Sequence, residues 1–151
     1  MNELTPEQHY RCLESMYQAA PVNDFYKPVM TVSDSHAVIE IEVSEKHHHA
    51  AGAMHGSVYF KMLDDAAFFA ANSLETAVFV LTTSFTTYLT RPVTSGKIRA
   101  EGKVVNQNKT QFIAEAVLYD ENGNDVGRGN GIFVKSKMPL KTTPGYNLEN
   151  T

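Results

Sequence analysis

The sequence predicts an α+β protein in which a curved antiparallel sheet wraps around one long central helix, with an additional helix at the N-terminus. Three observations carry that reading. Residues 57–72 contain neither Gly nor Pro and are apolar almost all round, the mark of a helix buried on most of its faces. Most of the second half alternates apolar and polar residues between turn-forming clusters, as strands do. Only one helix of this kind is present, so a sheet must curve to cover it.

The elements follow in order. Thr5-Pro6-Glu7 supplies an N-cap, a first-turn proline and a first-turn acid, and Tyr10, Leu13, Met16 and Tyr17 follow at helical spacing. Beyond Pro21 and Pro28, Val29 and Thr31 precede a polar break at Ser33-Asp34-Ser35-His36, and Ala37, Ile39, Ile41 and Val43 follow it. That pattern predicts two strands joined by a turn. In the central helix the charged residues Lys61, Asp64 and Asp65 fall in one narrow sector at about 100° per residue. Strands are predicted at 78–89, 97–105, 111–119 and 126–134. The last three form a meander through turns at Gln107-Asn108-Lys109 and at 120–125, the latter containing Asn122-Gly123. One domain is expected over 1–137, with 1–24 an N-terminal helix and linker and 25–137 the core; 138–151 is expected to be a polar, poorly ordered C-terminal tail.

With 151 residues, 42% of them hydrophobic, the chain can build one packed core. Thirteen Lys and Arg stand against 17 Asp and Glu, a net charge of -4, which argues against nucleic acid as a partner. Cys12 is the only cysteine, so no internal disulfide forms and a reducing compartment is the simpler setting. The polar N-terminus lacks the build of a signal peptide, and no apolar run reaches membrane-spanning length. The expectation is a cytoplasmic protein without a membrane partner.

The run His55-Gly56-Ser57-Val58-Tyr59-Phe60-Lys61-Met62-Leu63-Asp64-Asp65-Ala66 is similar to a family pattern of His-Gly-Gly, six residues, Asp, and Ala one residue beyond the next. Tyr88-Leu89-Thr90-Arg91-Pro92 resembles the aromatic-Leu-Arg-Pro strand end of the same family, and the likeness extends over roughly Val29 to Lys137. The sequence thus resembles the hotdog-fold acyl-CoA thioesterase superfamily, in the branch like the phenylacetic-acid-pathway (PaaI-like) enzymes. The resemblance implies acyl-CoA as substrate, a homodimer that can pair into a homotetramer, and no cofactor. It also implies that Gly56 offers an oxyanion-stabilising N–H, that Asp64 is the catalytic carboxylate and that His55 supports them. Two positions depart from the pattern: Ser57 stands for the second glycine and His49 for an asparagine near the thioester. Among Thr82, Thr83 and Ser84, where the family often places a hydroxyl that helps hold the attacking water, Thr83 is the choice.

Thioester hydrolysis needs a polariser for the carbonyl oxygen and a carboxylate that activates water or attacks directly. Backbone N–H groups of Gly56 and Ser57 at the start of a helix suit the first role. Asp64 lies eight residues further on, about 12 Å along the axis, so one chain cannot bring both groups to one carbonyl. A two-fold dimer of antiparallel helices makes two composite sites.

Plainer readings compete at each position. Asp64 and Asp65 could form a solvated stripe with Lys61 as a weak partner; Asp65 keeps that reading. Consecutive imidazoles at His47, His48 and His49 point to alternate sides of an extended segment and do not share a metal ion, so no metal is expected. His49 is expected to line the active site, while His47 or His48 is simply exposed. Ser57 lacks the surroundings of a nucleophile, and Cys12 is a small buried residue.

Arg91, Lys97, Arg99, Lys103, Lys109 and Arg128 are candidates for a basic rim that meets the coenzyme A phosphates, or are simply solvated. Gly127, Gly129 and Gly131 leave one strand face bare, either for the pantetheine arm or for close packing. Tyr10, Met16, Tyr17, Phe25 and Tyr26 offer lid groups. An acyl-thioester hydratase or dehydratase, distinguished by an enoyl absorbance change as opposed to free thiol, and a non-catalytic acyl-CoA-binding dimer are the alternative functions.

Overall fold

A computed structural model describes residues 3–148. Helix α1 (Pro6–Ala19) starts on a reciprocal cap: Gln8 N–H donates to Thr5 Oγ1 at 3.1 Å and Thr5 N–H to Gln8 Oε1 at 2.9 Å. A second, single-turn helix α2 (Asn23–Tyr26) falls between the two prolines. Its sequence is too short to carry a helical period. Strands β1 (Val29–Ser33) and β2 (His36–Val43) form the expected hairpin, with Ser35 in the left-handed region at φ 61° in its turn. Then come α3 (Gly56–Asn72), β3 (Val78–Leu89), β4 (Gly96–Gln107), β5 (Gln111–Tyr119) and β6 (Asp125–Pro139).

The six strands form one antiparallel sheet in the order β1-β2-β4-β5-β6-β3. Helix α3 packs against β2 through β6, the curved sheet around a central helix that its apolar surface demands. Met62, Leu63, Ala66, Ala67 and Ala70 are fully buried and meet Ile39, Ile98, Leu118 and Phe133 in the core. Each large aliphatic side chain among them contributes roughly 1.5–3 kcal/mol. The helix comes closest to the sheet at Gly102, where an added Cβ would lie 2.2 Å from the Ala66 carbonyl oxygen and 2.6 Å from the Ala67 nitrogen.

The two sheet edges are treated differently. On β1, α1 satisfies the outward backbone of Val32 with side chains: Arg11 Nη2 donates to the Val32 carbonyl and Val32 N–H donates to Glu14 Oε2, both at 2.8 Å. The β3 edge carries exposed Leu81, Tyr88 and Leu89. An uncovered edge with such residues is an invitation to pair.

Two readings of the sequence change here, and one left open is narrowed. Strand β6 continues past residue 134 to Pro139, because β3 pairs along its whole length and matches Val78 with Pro139. The expected polar tail is instead built into the fold as far as it is described. Leu140 is fully buried with its N–H on the Ala77 carbonyl at 3.0 Å, and the Tyr146 hydroxyl donates to Nδ1 of buried His9 at 2.5 Å. One aliphatic and one aromatic side chain in a polar segment suffice to dock it; residues 149–151 lie outside the described part. Close packing also accounts for Gly129 and Gly131, since the Phe85 ring lies across both, within 2.5 Å of where their Cβ atoms would be. Among the described residues no helix is long and apolar enough to cross a membrane.

Gly102→Ala should destabilise the protein by at least about 3 kcal/mol, because the new methyl meets helix backbone that cannot rotate away. Urea denaturation monitored by circular dichroism measures this as a lowered midpoint at unchanged slope.

Candidate active site

The sheet covers every face of α3 except one stripe, on which Gly56, Ser57, Phe60, Lys61, Asp64 and Asp65 retain exposure. At the start of this stripe His55 is the N-cap. Its Nδ1 accepts from the Ser57 N–H at 3.0 Å and from the Ser57 hydroxyl at 2.8 Å. Of the two backbone donors expected at this helix start, that of Ser57 is therefore engaged, because the capping ring folds back onto it. The Gly56 N–H has no partner among the described residues and points along the helix dipole.

Gly56 lines a cavity of about 280 Å³ with His49, Tyr59 and the Leu89–Pro92 strand end. The Tyr59 hydroxyl donates to the Arg91 carbonyl at 2.6 Å and fixes that strand end beside the helix. His49, exposed at this cavity, has its Nδ1 bonded by the Ala51 N–H at 3.0 Å.

Asp64 opens on a different cavity, about 390 Å³, walled mainly by aromatic and aliphatic side chains from α1, α3 and β3. The Thr82 hydroxyl donates to its Oδ1 at 2.9 Å. Burial pushes the Asp64 carboxyl up to about 6, the Thr82 hydrogen bond opposing that rise, Asp65 adding to it and Lys61 opposing it. The neighbouring acid is treated differently. Asp65 Oδ2 takes a 2.6 Å ion pair from Lys61 and a 2.7 Å hydrogen bond from the Tyr17 hydroxyl. Lys61 also lies over the rings of Tyr17 and Tyr26, 5.2 and 5.0 Å from their centroids. Lys61 and Asp65 are thus a half-buried pair tied to the N-terminal segment, more than the weak surface pair expected, and Asp64 is left as the acid without a cation on it.

The structure brings Gly56, His49 and His55 to one end of α3 and Asp64 to the middle of the same face. It does not bring Thr83 to Asp64. The register between β3 and β6 shifts between Thr82 and Ser84, so Thr83 sits in a bulge, exposed, with its hydroxyl on the Ile132 carbonyl at 3.2 Å. Thr82 takes the position beside the carboxylate. Its signal in the sequence was its place two residues beyond the buried Val80, on the same face of the strand.

The three adjacent histidines diverge. His47 is buried, contrary to expectation, stacked on Tyr26 with its Nδ1 accepting from the Ser44 N–H at 3.1 Å; burial, then the nearby Lys46 and His48, lower its pKa. His48 is half-buried and its Nε2 donates to the Thr94 carbonyl at 2.7 Å. Among the described residues no group of His, Cys, Asp or Glu has the arrangement of a metal site. Of the six candidate cations, four are held by carboxylates: Lys97 by Glu40, Arg99 by Glu101, Lys103 by Glu115 and Arg128 by Asp125. Arg91 is the one that lines the Gly56 cavity.

A six-stranded antiparallel sheet curved around one helix, with a carboxylate and the unpaired Gly56 N–H of the helix start on the uncovered stripe, defines a hotdog-fold protein of the thioesterase class. The chain belongs to the thioesterase superfamily, whose family model matches residues 51–126, half of its length. Among curated proteins none matches the sequence. Among solved structures, the Escherichia coli PaaI protein from the phenylacetic acid degradation operon superposes with a TM-score of 0.81 at 16% identity, covering 89% of this chain and 97% of its own. Zebra fish thioesterase superfamily member 2 gives 0.74 at 17% identity, over 89% and 100% of the two chains. A single-site mutant of the phenylacetic acid degradation protein PaaI from Thermus thermophilus gives 0.70 at 21% identity, over 77% and 99%. These structures share the fold of this chain.

The raised carboxyl makes Asp64 a stability cost in its charged form. Its folded pKa of about 6 exceeds the unfolded value of 3.8, so its contribution is most favourable below the unfolded value and is lost as pH rises through about 6. Asp64→Asn should therefore stabilise the protein at pH 8 by on the order of 2 kcal/mol, after allowance for solvent screening. Thermal denaturation at pH 8 and pH 4 tests this: the gain over wild type should shrink at the lower pH.

Proposed function

We propose that the protein hydrolyses acyl-coenzyme A thioesters at sites shared between two subunits. The observation that carries this reading is Asp64 itself, whose pKa is raised by burial beside an apolar cavity, with a single hydroxyl donor on it and the neighbouring Lys61 paired to Asp65. A carboxylate so placed is basic enough to take a proton from water near neutral pH.

In the dimer, the β3 edges pair and the α3 stripes face each other, covering Phe60, which is 44% exposed midway between Gly56 and Asp64. The Gly56 N–H of one subunit then meets the partner subunit's Asp64 across the thioester. Asp64 Oδ2, which Thr82 leaves free, removes a proton from water as it attacks the carbonyl carbon, or attacks that carbon itself to give an acyl-aspartyl intermediate that water cleaves. The carbonyl oxygen takes up negative charge against the Gly56 N–H. The C–S bond breaks, and coenzyme A departs as a thiol with the proton returned. Arg91 and His49 stand at the Gly56 entrance to meet the polar part of the substrate. Such dimers can pair again into a tetramer. No histidine lines the Asp64 cavity within the chain, which favours hydrolysis over hydration.

A thiol-release screen over acyl-CoAs of graded length and aryl derivatives tests the activity: wild type should turn over at least one, and Asp64→Asn should lose about a thousandfold or more in kcat. Below pH 6, kcat/KM should fall about tenfold per unit as Asp64 takes up its proton. Thr82→Val should move that inflection upward by about one unit, since it removes a hydrogen bond to the charged form.

The shared site has its own test. Gly56→Pro deletes the N–H at a helix position where proline is well tolerated. Mixing inactive Gly56→Pro with inactive Asp64→Asn by denaturation and refolding should recover about a quarter of wild-type activity, because each mixed dimer regains one intact site. If both residues served the same chain, mixing would recover nothing.

A further inference from the structure

The cavity beside Asp64 is walled on its far side by parts of the chain that lie outside residues 51–126, the segment matched by the family model. These are the C-terminal end of α1 with the turn after it, through Ala19, Ala20 and Val22, and the crossing segment at Thr143 and Pro144. That crossing segment is a strap fastened at both ends. At its start Leu140 is fully buried and its N–H donates to the Ala77 carbonyl at 3.0 Å. At its end the Tyr146 hydroxyl donates to His9 Nδ1, and His9 Nε2 donates in turn to the Asn72 carbonyl at 2.8 Å, joining the strap to α1 and to the C-terminal end of α3. Between these points Gly145, at φ +85°, runs so close to α1 that a Cβ would lie 2.7 Å from the Ala19 Cβ and 3.0 Å from the Met16 Cα.

The consequences for a ligand follow from the geometry. Polar groups near the reacting end are Asp64, Thr82 and the mutually paired Lys61 and Asp65. Phe68, Phe69 and Phe79 form the apolar body. Asn23 and Thr143 are further polar side chains of the lining and neither is charged, so a group extending away from Asp64 fits best when it is uncharged and mainly apolar, and it ends against the strap. At about 390 Å³ the space is far larger than an acetyl group needs and lies near the lower end of small-molecule pockets.

Resting on the thioesterase reading above, we propose that the strap Leu140–Tyr146, together with Ala19 and Ala20, is a length-limiting wall that makes this site select apolar acyl chains intermediate between acetyl and palmitoyl. Ala20 and Pro144 are the specificity-determining positions. Tyr146 is a positioning residue that acts through the strap.

The test measures kcat/KM for acetyl-, butanoyl-, octanoyl- and palmitoyl-CoA. Wild type should prefer octanoyl-CoA to both extremes. Ala20→Phe places a ring in the far end, so the octanoyl-to-butanoyl ratio should fall about tenfold. Tyr146→Phe unfastens the strap, so the palmitoyl-to-octanoyl ratio should rise several-fold; Pro144→Gly should move the same ratio in the same direction if Tyr146→Phe does not fold. A chain-length profile unchanged in the folded variants, or a wild-type preference for acetyl- or palmitoyl-CoA, overturns the proposal.

Should wild type release no thiol from any acyl-CoA, the hydrolase reading has failed and the wall is judged by binding. Octanoate should then displace a dansyl-labelled fatty acid from wild type and do so about tenfold less well from Ala20→Phe; absence of octanoate binding, or equal binding to both, overturns the wall as well.

Discussion

Helix α3 carries too much apolar surface to be covered by anything smaller than a strongly curved sheet, and the rest of the architecture answers that constraint. Five of the six strands wrap around it, and at Gly102 the two backbones approach so closely that no side chain fits between them. Ala66, Ala67, Ala70 and Ala71 are all fully buried, small residues where close approach requires them. Wrapping leaves one stripe of the helix uncovered, and every polar residue of the helix body except Asn72 is on it. The candidate site is thus confined to the one face the sheet cannot reach.

On that stripe the decisive feature is the division of labour between two adjacent acids. Asp65 is neutralised by Lys61 and held by Tyr17. A single unpaired carboxylate then remains, Asp64, with its negative charge disfavoured by burial and by its neighbour. Had Lys61 paired with Asp64, its cation would have favoured the charged form and drawn the carboxyl down. Charge placement a few ångströms away therefore bears on how basic Asp64 is, and Tyr17 and Tyr26, stacked against Lys61, keep the ammonium where it is. The N-terminal segment contributes to the site by this route as well as by forming a wall of its cavity.

The same economy governs the edges. Arg11 and Glu14 close the β1 edge from α1, whereas β3 keeps exposed apolar residues along its outer side. This asymmetry leaves the β3 edge and the α3 stripe to be covered together. A helix rigid over about 12 Å separates Gly56 from Asp64, so in the proposed dimer covering that surface with a second copy and completing the chemistry would be one requirement.

Much of this was readable in the amino-acid sequence, because local periodicity and caps report on local structure. The apolar run of α3, the Thr5 cap, the β1–β2 hairpin, the β4–β5–β6 meander and the placement of Gly56 and Asp64 along one helix follow from spacing alone. What the tertiary structure decided depends on contacts between distant residues. A bulge in β3, set by pairing with β6, turns Thr83 outward and puts Thr82 on the carboxylate. Tyr17, 48 residues away, helps fix which of two adjacent acids carries the cation. Lys97 and Lys103 are paired with carboxylates on neighbouring strands, Glu40 and Glu115, and a polar C-terminal segment docked through Leu140 and Tyr146. Sequence specifies how each segment folds upon itself; which side chains then meet depends on sheet register and docking, whose determinants lie tens of residues apart along the chain.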